Sequence, residues 1–65
     1  MTKSQAQQLN QTVKGWERVK AKVTVIGEDD KSNIICELET TGFTQRFLIG
    51  KRGAITWKYR YNKLV

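Results

Sequence analysis

The stretch "FTQRFLIGKRGAITWKYRYNK" (43–63) decides how this chain folds. Phe43, Phe47 and Ile49 alternate with Thr44, Arg46 and Leu48. After "GKRG", a last strand "AITWKYRYNKL" (54–64) has Ile55, Trp57, Tyr59 and Tyr61 alternating with Thr56, Lys58, Arg60 and Asn62. A period of two marks half-buried strands, and a short Gly-containing break between two of them marks a hairpin. A two-residue loop at Lys51-Arg52 would set Arg46 against Trp57, because a one-residue slip moves every side chain to the other face. A three-residue loop, Lys51-Arg52-Gly53, sets Ile49 against Ile55, Phe47 against Trp57 and Phe43 against Tyr61. It gives Gly53 the left-handed position that such loops require. In this register the rings of the last strand face inward as core; the alternatives are a split, with Trp57 buried and Tyr61 near the rim, or rings displayed on the sheet where bases could stack on them. Arg46 then lies across from Lys58, and Thr44 across from Arg60.

Working upstream, "IICELE" (34–39) puts Ile34, Cys36 and Leu38 on one face. With Thr41-Gly42 as a two-residue loop, Glu37 pairs with Arg46, Cys36 with Phe47 and Ile34 with Ile49, so charge meets charge and apolar meets apolar. Gln45 breaks the pattern. It falls on the apolar face between Leu38 and Tyr59, where a hydrogen bond to a tyrosine hydroxyl or an edge position would accommodate it. "GEDDKSN" (27–33) has the composition of a turn. From Arg18, the residues Val19, Ala21, Val23 and Val25 alternate with Arg18, Lys20, Lys22 and Thr24, which predicts a first strand.

Nearer the N-terminus, Ala6, Leu9, Val13 and Trp16 recur at helical spacing, and Ser4 with Gln7 fits a capping box. These predict a short amphipathic helix near 4–14 if the stripe docks on the sheet, and a Gln-rich arm if it does not. The expected fold is therefore mainly β, or α+β with the helix formed. It is a four-stranded antiparallel meander, able to curl into a small partial barrel, behind an N-terminal helix. All 65 residues form one domain, with 1–17 as helix or flexible arm and 18–65 as sheet.

Composition bounds the function. A domain of this length buries only about 60% of the surface its unfolded chain exposes, so its core is marginal. Cys36 is the sole cysteine and there is no histidine, which removes the common zinc sites and the Ser–His and Cys–His nucleophiles. Glu28-Asp29-Asp30 lacks the alternation of a calcium loop. Glu37 and Glu39 share a strand face without the apolar surroundings that would raise one pKa for acid–base work. The expectation is a non-enzyme with no cofactor, metal or catalytic residue. The lone thiol, the lack of an apolar run long enough to span a membrane and the polar start "MTKSQAQQLNQT" fit a cytoplasmic protein.

The formal charge is +6. Cations and anions cancel over residues 1–39, whereas residues 40–65 hold Arg46, Lys51, Arg52, Lys58, Arg60 and Lys63 and no acid. "IGKRGAI" (49–55) resembles the GXXG loop of KH RNA-binding domains, whose glycines let phosphates approach the backbone. That loop joins two helices, and the period-two pattern of 54–65 confines the resemblance to these seven residues. A tip bearing Lys51 and Arg52 between glycines is a modest anion site in its own right. The leading expectation is a nucleic-acid-binding protein (DNA or RNA, of low specificity) that contacts phosphates through Lys20, Lys22, Arg46, Lys51, Arg52, Lys58 and Arg60. The alternative is an interaction subunit or adaptor. It would use the basic face on an acidic protein surface, or self-associate as a homo-oligomer through Ile26, Ile35 and Leu48.

Overall fold

In the computed structural model, which describes residues 1–63, α1 (Lys3–Gly15) is followed by a 3-10 turn (Glu17–Val19) and four strands. These are β1 (Lys22–Glu28), β2 (Ile34–Glu39), β3 (Phe43–Ile49) and β4 (Ile55–Asn62). They form one antiparallel sheet in the order β1-β2-β3-β4. The fold is mainly β with an N-terminal helix, as expected. The sheet is open rather than curled into a barrel, with β1 and β4 as its edges. The expected last strand ran on to Leu64, which lies outside the described residues.

The helix starts earlier than expected. Thr2, not Ser4, is the N-cap, and the capping box is Thr2 with Gln5. The Gln5 amide donates its N–H to Thr2 Oγ1 at 3.1 Å, and the Thr2 N–H is donated to Gln5 Oε1 at 2.8 Å. The buried stripe is also rotated from the expected one. Val13 is exposed, while Gln5 and Thr12 are buried and Leu9 and Trp16 pack on the core. Thr12 satisfies its hydroxyl within the helix, on the Gln8 carbonyl at 2.9 Å. Gln5 does more. Its Nε2 donates to the carbonyls of Ser32 (2.8 Å) and Ile49 (3.1 Å), tying the helix to the β1–β2 loop and to the end of β3. Thr2 adds a bond from its hydroxyl to the Lys51 carbonyl at 2.8 Å. The N-terminus of α1 is therefore pinned to the tip of the β3–β4 hairpin. There Gly53 has φ +89°, and a Cβ on it would meet the Ser4 carbonyl at 3.1 Å.

The predicted first strand begins too early. Glu17–Val19 is a 3-10 turn, Val19 is exposed, and Lys20 takes the left-handed conformation (φ 55°, ψ 37°) that redirects the chain into β1. From Lys22 the pairing is regular to Val25–Cys36. There Ile26 is inserted as a bulge before Gly27 pairs with Ile35. The β2–β3 register is the expected one throughout, with Glu37 opposite Arg46 and Ile34 opposite Ile49. The Thr40 hydroxyl holds that turn by accepting the N–H groups of Gly42 and Phe43, both at 3.1 Å.

Ile34, Cys36, Leu38, Phe47 and Ile49 form the buried core, all on β2 and β3. Leu9, Trp16, Ala21, Val23, Phe43 and Ile55 pack around them, with Trp16 edge-on to Phe43 at 6.1 Å. Geometry explains the concentration. A helix is about 10–12 Å across with its side chains, and strands lie about 4.8 Å apart, so one helix covers two strands. The edge strands keep little cover on the same face, and the far face of the sheet has no second layer among the described residues.

Replacing Gln5 with Leu keeps the shape and strands the carbonyls of Ser32 and Ile49. We expect a loss of about 1–3 kcal/mol in urea unfolding, the usual result of leaving buried polar groups unpaired. The β1–β2 loop gives a pH test. Asp29 accepts N–H groups from Lys31 and Asn33, each at 2.9 Å, and the Asn33 side-chain amide on Oδ2 at 2.9 Å. The Asn33 amide holds its carboxyl below the ordinary aspartate range. A lowered folded pKa stabilises at neutral pH, and that contribution is lost as pH falls through the folded value. Asp29→Ala should therefore be less stable than the parent at pH 7, with the gap narrowing in acid when both are unfolded by urea across the pH range.

Candidate nucleic-acid interface

From its tip down to Phe47 the last hairpin keeps the expected register, with Ile49 on Ile55, Leu48 on Thr56 and Phe47 on Trp57. Below that pair β4 carries one residue more than β3. Lys58 and Tyr59 together stand against Arg46, and pairing resumes as Gln45–Arg60, Thr44–Tyr61 and Phe43–Asn62. Such a bulge leaves one residue unpaired and exchanges the two faces of all that follows. The expected pairs Phe43–Tyr61 and Thr44–Arg60 are thus corrected. Tyr59 and Tyr61 turn to the face away from the helix, and Arg60 turns beneath it. The rings expected in the core are 50% (Trp57), 51% (Tyr59) and 59% (Tyr61) exposed. Trp57 does stay on the helix side and touches Phe47 at 5.1 Å, but it lies beyond the width that α1 covers.

Gln45 accounts for the bulge. It is only 5% exposed, and its side chain fills the gap that the extra residue opens. Nε2 lies 2.9, 3.0 and 3.2 Å from the carbonyls of Arg46, Lys58 and Tyr59, and its two N–H groups are shared among them. Oε1 accepts the Nε–H of Arg60 at 2.9 Å. The Arg60 guanidinium then sits over the Phe43 ring, 4.1 Å from its centroid. Neither sequence expectation for Gln45, a tyrosine hydroxyl or an edge position, describes it. A glutamine on an apolar face was nevertheless the one visible signal that the register would break there.

The open face of the sheet can be read row by row from the register. Lys22, Glu39, Thr44 and Tyr61 cross it near the β2–β3 turn, and Thr24, Glu37, Arg46 and Tyr59 cross its middle. Ile35, Leu48 and Thr56 cross it towards the other end. Arg46 Nη2 donates to Glu37 Oε2 at 3.0 Å, which raises the pKa of the guanidinium further, and its Cζ lies 5.7 Å from the Tyr59 ring centre. Lys63 donates to Glu39 at 2.8 Å and holds that carboxyl below its ordinary range. The rings of Tyr59 and Tyr61 are 5.0 Å apart with planes at 66°.

The seven sequence-predicted cations do not share one surface. Lys51 and Arg52 are exposed at the hairpin tip, beside the start of α1. Lys20 and Lys22 are exposed at the opposite end of the sheet, where β1 begins. Lys58 is exposed in the bulge. Arg46 is held by Glu37 on the open face, and Arg60, though exposed, is held by Gln45 and Phe43 on the helix side of the sheet. The two arginines are structural partners first. Sequence reasoning favoured the core for Tyr59 and Tyr61, because it carried the register straight through the bulge; the alternative of Tyr61 near the rim comes nearer to the structure, although Trp57 is half exposed rather than buried. The described residues hold no cluster of acidic or cysteine side chains able to bind a metal ion, and no helix long and apolar enough to cross a membrane. The chain matches no known family model, no curated protein and no solved structure.

The bulge can be tested by cross-strand NOEs. The native chain should connect Thr44 with Tyr61 and Gln45 with Arg60. Gln45→Leu strands the bulge carbonyls and should cost about 1–3 kcal/mol. With its plug removed, the strand should lose the Thr44–Tyr61 contacts in favour of Phe43–Tyr61.

Proposed function

We propose that this protein is a non-enzymatic nucleic-acid-binding module that holds the phosphate backbone through solvent-facing cations. The observation that carries this reading is the β3–β4 hairpin. Lys51, Arg52 and Lys58 reach solvent from a segment (40–65) without one acid, and the half-exposed Tyr59 follows Lys58 on β4, with Tyr61 further along towards the β2–β3 turn. The two acids closest to the rings, Glu37 and Glu39, are already neutralised by Arg46 and Lys63. Lysine and arginine contacts to phosphates release counterions and supply sequence-independent affinity that falls steeply with salt. Lys20 and Lys22 extend the contact towards the far end of the sheet. Arg46 and Arg60 contribute charge while holding β3 and β4 in place.

A second reading has its own support. Ile35 and Leu48 face each other on the open side of the sheet with no second layer over them among the described residues, and Ile26 is half exposed in the other bulge. An adaptor or a homo-oligomer would cover that strip.

Retention on a polyanion column and gel shifts at two salt concentrations test the first reading. Binding should be clear at low salt and weaken steeply at high salt. The triple variant Lys51→Glu, Arg52→Glu, Lys58→Glu touches no side-chain partner of the fold and should lose about tenfold or more in affinity. No binding at low salt, together with a dimer mass by light scattering, would replace the nucleic-acid reading with the second.

A further inference from the structure

The phosphate-directed cations do not explain why Tyr59 and Tyr61 lie open. Isolated exposed rings are ordinary, but two on one strand, in contact with each other and at least half exposed, form a built apolar surface. The bulge is what exposes them. A buried glutamine is committed to holding it open, and without it both tyrosines would face the helix side. The rings are also fixed in place. Tyr61 is paired with Thr44 in the sheet, the Tyr59 carbonyl accepts from Gln45, and the Arg46 guanidinium, itself held by Glu37, lies 5.7 Å from the centre of the Tyr59 ring. Tyr61 is the barer of the two, at 59% exposure. The two ring planes stand at 66° to each other. A flat aromatic group laid parallel on Tyr61 stands just as steeply to Tyr59, a relation that aromatic pairs favour.

We infer, resting on the nucleic-acid reading above, that the ligand is single-stranded nucleic acid, with an unpaired base stacked on Tyr61 beside Tyr59. In a duplex the faces of the bases are covered by their neighbours, so a ring on a protein surface cannot stack on them. In a single strand they are free, and stacking on aromatic side chains tolerates any base. The charge around the rings fits the same ligand. Lys58 precedes Tyr59 in the bulge and is exposed, so a backbone whose base lies on the rings runs past an ammonium group. The nearby carboxylates are each paired with a cation, which removes the repulsion that would oppose it. Stacking reads the base and the lysines read the phosphate. DNA and RNA share both parts, so both are bound alike.

The test is a fluorescence-anisotropy titration of the full chain against labelled oligo(dT), oligo(U) and a duplex of equal length, at several salt concentrations. The two single strands should bind comparably and more tightly than the duplex. Tyr61→Ala should weaken single-strand binding by about tenfold, within the range for losing one stacked base, and leave duplex binding unchanged. Its salt slope should match the parent's, because no charge is removed, whereas Lys58→Ala should lower the slope by about one. Tyr61→Phe should restore affinity. Tyr61 is exposed and needed by no core contact, so the variant remains folded, which circular dichroism verifies. Equal binding of single strand and duplex, unaffected by Tyr61→Ala, would overturn the stacking inference and leave the phosphate-binding reading standing. Absence of binding to every polyanion would overturn both.

Discussion

One helix has to cover a four-stranded sheet, and it is wide enough for two strands. The consequences run through the whole molecule. The buried apolar side chains fall on β2 and β3, while β1 and β4 are mostly exposed although each has one face on the helix side. A core this narrow makes the seat of the helix critical, and that seat is polar. Gln5 is 2% exposed, and its amide joins α1, the β1–β2 loop and the end of β3 in one set of hydrogen bonds. A buried amide is tolerated only when its donors and acceptor are used, and directional bonds fix position in a way that apolar contact does not. Leu9 and Trp16 supply the apolar contact, and Gln5 fixes where it forms.

The second buried amide, Gln45, works at the opposite end of the sheet by the same principle. A bulge frees carbonyl groups from the ladder, and buried carbonyls need donors. Gln45 supplies them from within the core face and uses its own oxygen to bring Arg60 over Phe43. The local break in pairing is thereby made specific. It also distorts an otherwise regular edge strand, one of the devices that keep exposed edges from pairing with other chains.

The packing of the sheet divides the charges into kinds that net charge alone does not distinguish. Arg46 and Arg60 are bound up in the sheet, one with a carboxylate and one with an amide and a ring. Lys51, Arg52 and Lys58 are exposed in a turn and a bulge. The proposed interface therefore rests on lysines, one tip arginine and two tyrosines, and not on the arginines of the sheet. In this arrangement charge provides attraction at a distance, and the rings decide what form of nucleic acid fits.

The period-two patterns, the turn residues and the charge-matched pairing of Glu37 with Arg46 were enough to establish the strand order, the β2–β3 register and the three-residue tip with Gly53. These features are local: each depends on residues within one hairpin. The helix was legible as an element but not in its rotation. Its inward face includes Gln5 and Thr12: the Thr2 N–H and the distant carbonyls of Ser32 and Ile49 complete the hydrogen bonds of the Gln5 amide, and the Gln8 carbonyl within the helix accepts the Thr12 hydroxyl. The fate of Tyr59, Tyr61 and Arg60 was not legible either. Alternation in sequence assigns faces only while pairing is continuous, and one inserted residue reverses them. Whether it is inserted depends on a glutamine finding donors' partners across three strand positions. Sequence alone thus determined which residues could pair. The packed structure decided on which side of the sheet they came to lie, because that choice depends on satisfying buried polar groups whose partners are distant along the chain.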